Sequence, residues 1–262
     1  LFIFLNVMET HWKYNTPVSY NNIINITTQE RQKFFQYDHQ DFYIQSLPPE
    51  MMAKIYLLYE QGLYFLDQKL FDFYRFLEAQ GVKDRTLLAV TSDHGESLGE
   101  HGLWGHMFGL YNEVLQIPLV VKYPGGLTAP GESRRLAQLN DLFATILEVV
   151  ESPLPLPASS RSLLSASREH AFAEHYQNIG LQAIHKRLPD FEPRPFMQPC
   201  RCVIDKSLHK LIEWADGNLE LYDLNTDFWE GRNLSQVPDQ ACQVQALQSI
   251  MREKLGPFGE NT

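Results

Sequence analysis

Asp93 and His94 stand at the end of an apolar run, Leu87-Leu88-Ala89-Val90, followed by Thr91 and Ser92. A carboxylate oxygen and a neutral imidazole nitrogen are donors that a divalent cation accepts, and Gly95 lets the chain turn while they converge. A continuous hydrophobic run reads as a buried strand, and in open α/β sheets the chemistry sits just beyond the carboxyl ends of such strands. Two more histidines stand nearby or at the end of a similar run, positions where a lone histidine is more often a hydrogen-bonded packing residue. His106 follows His94 by twelve positions, and His11 follows another apolar run, residues 1–7. Glu96, Glu100 and His101 lie within the same loop, where they can orient metal ligands or cap the turn. His39, His170, His175, His185 and His209 have no motif around them and take packing or surface roles.

The elements that must carry these residues follow from periodicity. Residues 1–7 and 87–91 read as strands, with 117–122 a third. Between the first two, Met52, Ile55, Tyr56, Tyr59, Leu63, Leu66, Leu70, Phe73 and Leu77 recur at helical spacing, so residues 50–80 form one long amphipathic helix capped by Gly81. Strand, helix, strand is the order of a parallel α/β sheet. The stretch up to about Pro49 reads as loop and short helices. Leu139, Leu142, Phe143, Ile146, Leu147 and Val150 give one apolar face to a helix over 140–150. Pro153, Pro155 and Pro157 then mark a boundary. Short strands are expected at 171–174, 202–205, 209–214 and 219–223, with a hairpin turn at Asp216-Gly217 and a final helix over 240–255.

The run from Thr91 through Asp93-His94-Gly95-Glu96 and Gly99-Glu100-His101-Gly102-Leu103-Trp104-Gly105-His106, then Leu110-Tyr111-Asn112-Glu113 to Val121, resembles the sulfatase family of the alkaline phosphatase superfamily. The resemblance covers most of the chain. Residues 1–14 look like its strand ending in a substrate-facing histidine, without the usual proline, and Lys210-Leu211-Ile212, Glu220-Leu221-Tyr222-Asp223-Leu224 and Arg232-Asn233-Leu234 look like its C-terminal subdomain. Residues from about Glu151 to Pro199 carry no such likeness. The resemblance implies an α/β fold with a mostly parallel sheet and flanking helices, plus a small C-terminal antiparallel sheet with a helix. It implies a domain division at 1–150 (catalytic), 151–199 (irregular connection) and 200–262 (C-terminal subdomain). It further implies hydrolysis of sulfuric esters, with Asp93 and His94 on the metal, His106 against the sulfate and His11 toward the leaving group. Calcium is the family's ion, while the Asp-His donor pair also admits manganese, magnesium or zinc. The substrate would be a small-molecule or saccharide sulfate ester.

The family's Cys-x-Pro-x-Arg nucleophile sequence is not in the chain. Cys200-Arg201-Cys202 lacks the proline, and Thr128-Ala129-Pro130-Gly131-Glu132 has glutamate where arginine is required. The chain therefore reads as the C-terminal part of a longer enzyme, without turnover by itself. A phosphodiesterase or phosphonate monoester hydrolase on the same scaffold is the alternative, and a noncatalytic sulfatase-like binding module is another.

Composition agrees with a globular protein. The chain has 262 residues, 44% of them hydrophobic, enough for a sizeable core. Its net charge of −10 argues against a nucleic-acid surface, which needs clustered Lys and Arg. No stretch reads as a membrane segment. Three cysteines cannot all pair, so a disulfide-stapled secreted scaffold is not expected, and the cytoplasm is the favoured compartment. Zinc on Cys200 and Cys202 with His185 or His209 would need tighter paired spacing. Asn25 and Asn233 each begin a glycosylation triplet, a pattern that also arises by chance.

Overall fold

The computed structural model describes residues 1–17, 26–38, 41–44, 49–176 and 179–258. Asn25 and His39 lie outside the described residues. The chain divides into two compact units, one of Leu1–Thr86, Ser97–Gly105 and Gln182–Phe191, the other of Leu87–Glu96, His106–Leu181 and Glu192–Thr262.

The first unit is helical. Thr27 opens α1 (Thr28–Phe34) with a reciprocal capping box, its side chain accepting from Glu30 N while the Glu30 carboxylate accepts from Thr27 N. A one-turn helix, α2 (Asp41–Ile44), precedes α3 (Pro49–Ala79), the long helix that the spacing predicts. Its inner face buries Ile55, Leu58, Gln61 and Gly62. Gly62 is there for space, since a Cβ would stand 2.5 Å from the Glu9 carbonyl oxygen. Trp12, Tyr14, Phe34 and Tyr59 pack edge to face or tilted around this seam, and the buried Arg31 guanidinium donates to Tyr14 O and Thr16 Oγ1, each at 3.0 Å. Two short strands, β2 (Ser97–Leu98) and β3 (Trp104–Gly105), pair antiparallel, and the Tyr43 hydroxyl donates to Trp104 O and accepts from Trp104 N.

Residues 1–7 do not form the expected strand. They are exposed and pair with no described segment. A strand is stabilised by a neighbour that takes its amides and covers its side chains, and an apolar run without one gains neither.

The second unit carries the sheets. Strand β1 (Leu88–Thr91) pairs with β4 (Leu119–Lys122), Leu88 opposite Lys122 and Thr91 opposite Leu119. This pairing is antiparallel, which corrects the expected parallel arrangement. A parallel return needs a crossover, usually a helix of several turns. Between these strands the second unit has only α4 (Asn112–Leu115), four residues long. The chain therefore folds back, with Thr91 Oγ1 donating to Pro118 O at 2.8 Å where the pair closes.

After α5 (Asn140–Val149), β5 (His170–His175), β6 (Cys200–Asp205), β7 (His209–Trp214) and β8 (Leu219–Asp223) form an antiparallel meander in that order. Its first strand comes from the stretch before residue 200, and α6 (Ile179–Arg187) lies between β5 and β6. The β7–β8 turn is at Asp216-Gly217 as the dipeptide predicts, with Gly217 at φ +87° and Asp216 Oδ1 accepting from Asn218 N. Val203, Leu211 and Leu221 on one face meet Val244, Leu247 and Met251 of α7 (Ala241–Leu255). Full burial of each such side chain contributes about 1.5–3 kcal/mol, which is why the terminal helix stays on the sheet. Cys200 and Cys202 are buried in β6, and Cys242 is exposed on α7. No helix among the described residues is long and apolar enough to cross a membrane.

Candidate metal loop and histidine pair

The loop leaving β1 brings Asp93, His94 and His106 together within the second unit. Ser92 Oγ donates to His94 O, and His94 N donates to Asp93 Oδ1 at 3.1 Å. Gly95 N donates to Val114 O at 2.7 Å, so the loop is laced to α4. A Cβ on Gly95 would lie 2.0 Å from the Glu113 carbonyl oxygen. The sequence points to a sharp turn at this glycine; the structure shows that close backbone approach is what requires it.

His94 Nδ1 is 2.8 Å from Gly95 O. A carbonyl only accepts, so Nδ1 carries the hydrogen and Nε2 is the lone-pair nitrogen of the neutral ring. That Nε2 lies 3.8 Å from Asp93 Oδ1, whose side chain is 86% exposed. Metal-binding histidines commonly donate their second ring N–H to a carbonyl or carboxylate, which fixes the tautomer. Nε2 and Oδ1 at this separation suit two ligands of one divalent cation, so the residues present fit a metal.

His106 stacks on His94, with ring centroids 3.9 Å apart and planes 30° from parallel. Its Nδ1 lies 3.1 Å from Oε1 of Glu96, whose side chain is only 4% exposed. His11 belongs to the first unit, in a turn where its backbone N donates to Met8 O at 3.1 Å and its Nδ1 is 2.7 Å from Trp12 O. Glu100, also in the first unit, accepts from Leu98 N. It braces its own turn.

Downstream of the loop, two adjacent residues are fastened to the four-stranded sheet. Tyr111 donates from its hydroxyl to Glu220 Oε2, a carboxylate that also receives Tyr222 Oη and Trp214 Nε1. Burial, then the Glu220 charge, push both tyrosine hydroxyls far above their ordinary value, which keeps them as donors. Asn112 N donates to Glu230 Oε2 at 2.6 Å, Asn112 Nδ2 to Phe228 O at 2.9 Å, and Lys210 Nζ to Asn112 Oδ1 at 3.3 Å. Lys210 Nζ also pairs with Glu230 Oε1 at 2.6 Å, both side chains 0% exposed. Sequence reasoning missed this anchor. Its one signal is a lysine inside the β7 run, beside Leu211 and Ile212.

Among the described residues, the group of side chains whose ligand atoms converge includes neither Cys200 nor Cys202. Burial pushes the Cys202 thiol up to about 11 and Cys200 higher still, so both are protonated thiols in the metal-free chain. His185 Nε2 is 3.0 Å from Phe191 O, and His209 Nδ1 is 3.6 Å from Asp205 Oδ2.

Comparison with known proteins places the chain. The family described as Sulfatase matches residues 1–152, and the one described as N-sulphoglucosamine sulphohydrolase, C-terminal, matches residues 99–257. The chain belongs to the sulfatase family. A multifunctional alkaline phosphatase superfamily protein, PehA of Trinickia caryophylli, is 30% identical over 65% of this chain and 34% of its own length. An N-acetylglucosamine-6-O-sulfatase of Bacteroides thetaiotaomicron is 24% identical over 75% of this chain and 35% of its own length. A solved structure in complex with its substrate D-glucosamine-2-N,6-O-disulfate matches with a TM-score of 0.63 at 19% identity, covering 89% of this chain and 46% of that one. The chain thus spans about a third of the length of these curated relatives and about half of that solved structure. Its sulfatase-family region includes the Asp93-His94 loop and His106, and the second match includes the whole four-stranded sheet.

Proposed function

We propose that this chain provides the metal loop and C-terminal subdomain of a divalent-metal-dependent sulfatase that hydrolyses sulfuric esters of saccharides or small molecules. The observation that carries the reading is the Asp93-His94-His106 arrangement, two ligand atoms facing one another with a third imidazole stacked beside them. Asp93 and His94 would hold the cation, calcium first and manganese, magnesium or zinc as alternatives. When bound, it supplies positive charge toward the nonbridging oxygens of the ester. His106 Nε2 is the atom directed at the sulfate, where a hydrogen-bond donor counts most as charge develops. His11 is assigned to the leaving oxygen, which needs a proton as the S–O bond opens. The nucleophile at sulfur is not among these residues, and we assign it to sequence outside the chain. The domain division at 150 and 200 belongs to this reading. A saccharide sulfate is the favoured substrate because a fold relative was solved with a disulfated glucosamine.

Purified chain should bind calcium and lose that binding in Asp93→Ala, yet release no sulfate from an aryl sulfate or a sulfated glucosamine. Joined to a segment carrying Cys-x-Pro-x-Arg, it should release sulfate in preference to phosphate from a phosphate diester. Metal-dependent turnover by the isolated chain, or no metal binding, would overturn this assignment. Preference for the phosphate diester would replace sulfatase by phosphodiesterase.

A further inference from the structure

We propose that Phe228 and Trp229 form a stacking platform for a pyranose ring of a saccharide chain, a subsite for a sugar other than the one whose sulfate lies at the metal loop. The proposal rests on the saccharide sulfate reading given above and adds a subsite to it. Trp229 is 63% exposed and Phe228 40%. A single exposed apolar side chain is ordinary, but two adjacent aromatic rings make a continuous apolar face on the surface. They also brace each other edge to face, with centroids 4.9 Å apart and planes 89° from parallel.

The turn beneath them is fixed. Asp227 N donates to Asp223 O at 2.8 Å, and the Asp227 carboxylate accepts from Gly231 N at 3.0 Å and Arg232 N at 2.8 Å. The Phe228 carbonyl accepts from Asn112 Nδ2. At Glu230 the chain takes φ +56° and buries its carboxylate beside Asn112 and Lys210, which leaves Trp229 on the solvent side. Two residues after Asn112, Val114 O receives Gly95 N. The platform and the metal loop are therefore fastened to the same short helix, α4, whose four residues span about 6 Å.

The chemistry of the pair selects a sugar ring as its occupant. An indole presents a negative π face, and the C–H bonds on one face of a pyranose, polarised by neighbouring oxygens, present positive hydrogen to it. Both partners are rigid, so stacking orders little that was free. The polar groups of the turn are already engaged: Asn225 Nδ2 and Thr226 Oγ1 donate to the Asp223 carboxylate, and the Asp227 carboxylate accepts from the backbone. The platform therefore recognises the face of a ring rather than its hydroxyls or its sulfation, and takes neutral and sulfated sugars alike.

The chain has four tryptophans, of which Trp104 and Trp214 are buried and Trp12 is half-buried, so Trp229 is the one that acrylamide reaches first. Without calcium, a neutral N-acetylglucosamine tetramer should move the emission to shorter wavelength and reduce acrylamide quenching. Trp229→Ala should abolish both changes, and Trp229→Phe should keep tetramer binding in calorimetry. With calcium, a sulfated glucosamine tetrasaccharide should bind about tenfold more tightly than the sulfated monosaccharide, the contribution of one stacked aromatic ring. Trp229→Ala should bring it down to the monosaccharide's affinity while calcium stays bound. No Trp229 response to the neutral tetramer, a response that survives in Trp229→Ala, or equal affinity for tetrasaccharide and monosaccharide would overturn the proposal. A wild-type dimer that dissociates in Trp229→Ala would also overturn it, assigning the pair to a second copy. Shielding of Trp229 by the neutral tetramer in a chain that binds no calcium would retain the platform and refute the metal-site reading alone.

Discussion

Replacing Lys210 with methionine tests whether the C-terminal sheet anchors the metal loop. At an effective dielectric of about 20, the attraction across the 2.6 Å between Lys210 Nζ and Glu230 Oε1 is about 6 kcal/mol. Withdrawing two charges from water offsets much of that gain, so the intact pair contributes little net stability. Removing one partner is different, because the carboxylate of Glu230 stays buried without its ammonium partner, its Oε2 still accepting from Asn112 N. Lys210→Met should therefore cost about 3–5 kcal/mol. With a urea m-value of about 2–3 kcal/mol/M, the midpoint followed by circular dichroism should fall by more than about 1 M. Lys210→Met combined with Glu230→Gln removes the stranded charge while keeping an acceptor for Asn112 N, and should recover at least half of the loss. A single substitution costing less than about 1 kcal/mol, or a double no more stable than the single, would refute the reasoning.

Three further outcomes are expected. Gly95→Ala should destabilise the chain by about 3 kcal/mol or more, since its Cβ would lie 2.0 Å from Glu113 O and relief costs the 2.7 Å bond to Val114 O; an unchanged urea midpoint contradicts this. Asp93→Ala should reduce calcium affinity by at least about a hundredfold in calorimetry, because loss of a residue that merely orients a ligand already costs about 10–100-fold; a tenfold loss or less would show that Asp93 is not a ligand. Burial holds the His175 imidazole below its ordinary 6.5, and its Nε2 is buried without a hydrogen-bond partner. Below pH 6.5 the unfolded chain takes up a proton that the folded chain refuses, so stability falls as the pH drops through that value until the folded imidazole also titrates. His175→Phe should flatten that part of the pH dependence of unfolding; an unaltered slope would contradict the assignment.

Local pattern carried much of the architecture. The helix Pro49–Ala79, the helix Ala241–Leu255, the β7–β8 hairpin and the strand before Asp93 are all legible because periodicity, a capping glycine or an Asp-Gly turn writes them into short stretches. Strand direction is not local. Residues 1–7 and 88–91 have the same apolar texture, yet only the second run has a described partner, and that partner runs antiparallel. In the metal loop, residue types pointed to Asp93 and His94, the family resemblance pointed to His106, and Glu96 was allowed an orienting role. Its aim at His106 depends on a backbone approach between Gly95 and Glu113 that no residue type encodes. The Lys210–Glu230–Asn112 anchor joins positions about a hundred residues apart, so it becomes visible only once the sheet is assembled.

The placement of the three cysteines makes the chain its own reporter of opening. Cys242 stands in solvent on the terminal helix, whereas Cys200 and Cys202 lie sealed in β6 as protonated thiols. A maleimide or dithiobenzoate reagent should consume one thiol per molecule at once. The other two must wait for β6 to come free of its neighbours, β5 on one side and β7 on the other. When reclosing is fast, their delayed reaction measures the free energy of that opening rather than intrinsic thiol reactivity. A single mixing experiment on unmodified protein can therefore time how often the sheet that fastens Tyr111 and Asn112 lets go, and a fluorophore placed on Cys242 beforehand leaves that clock running.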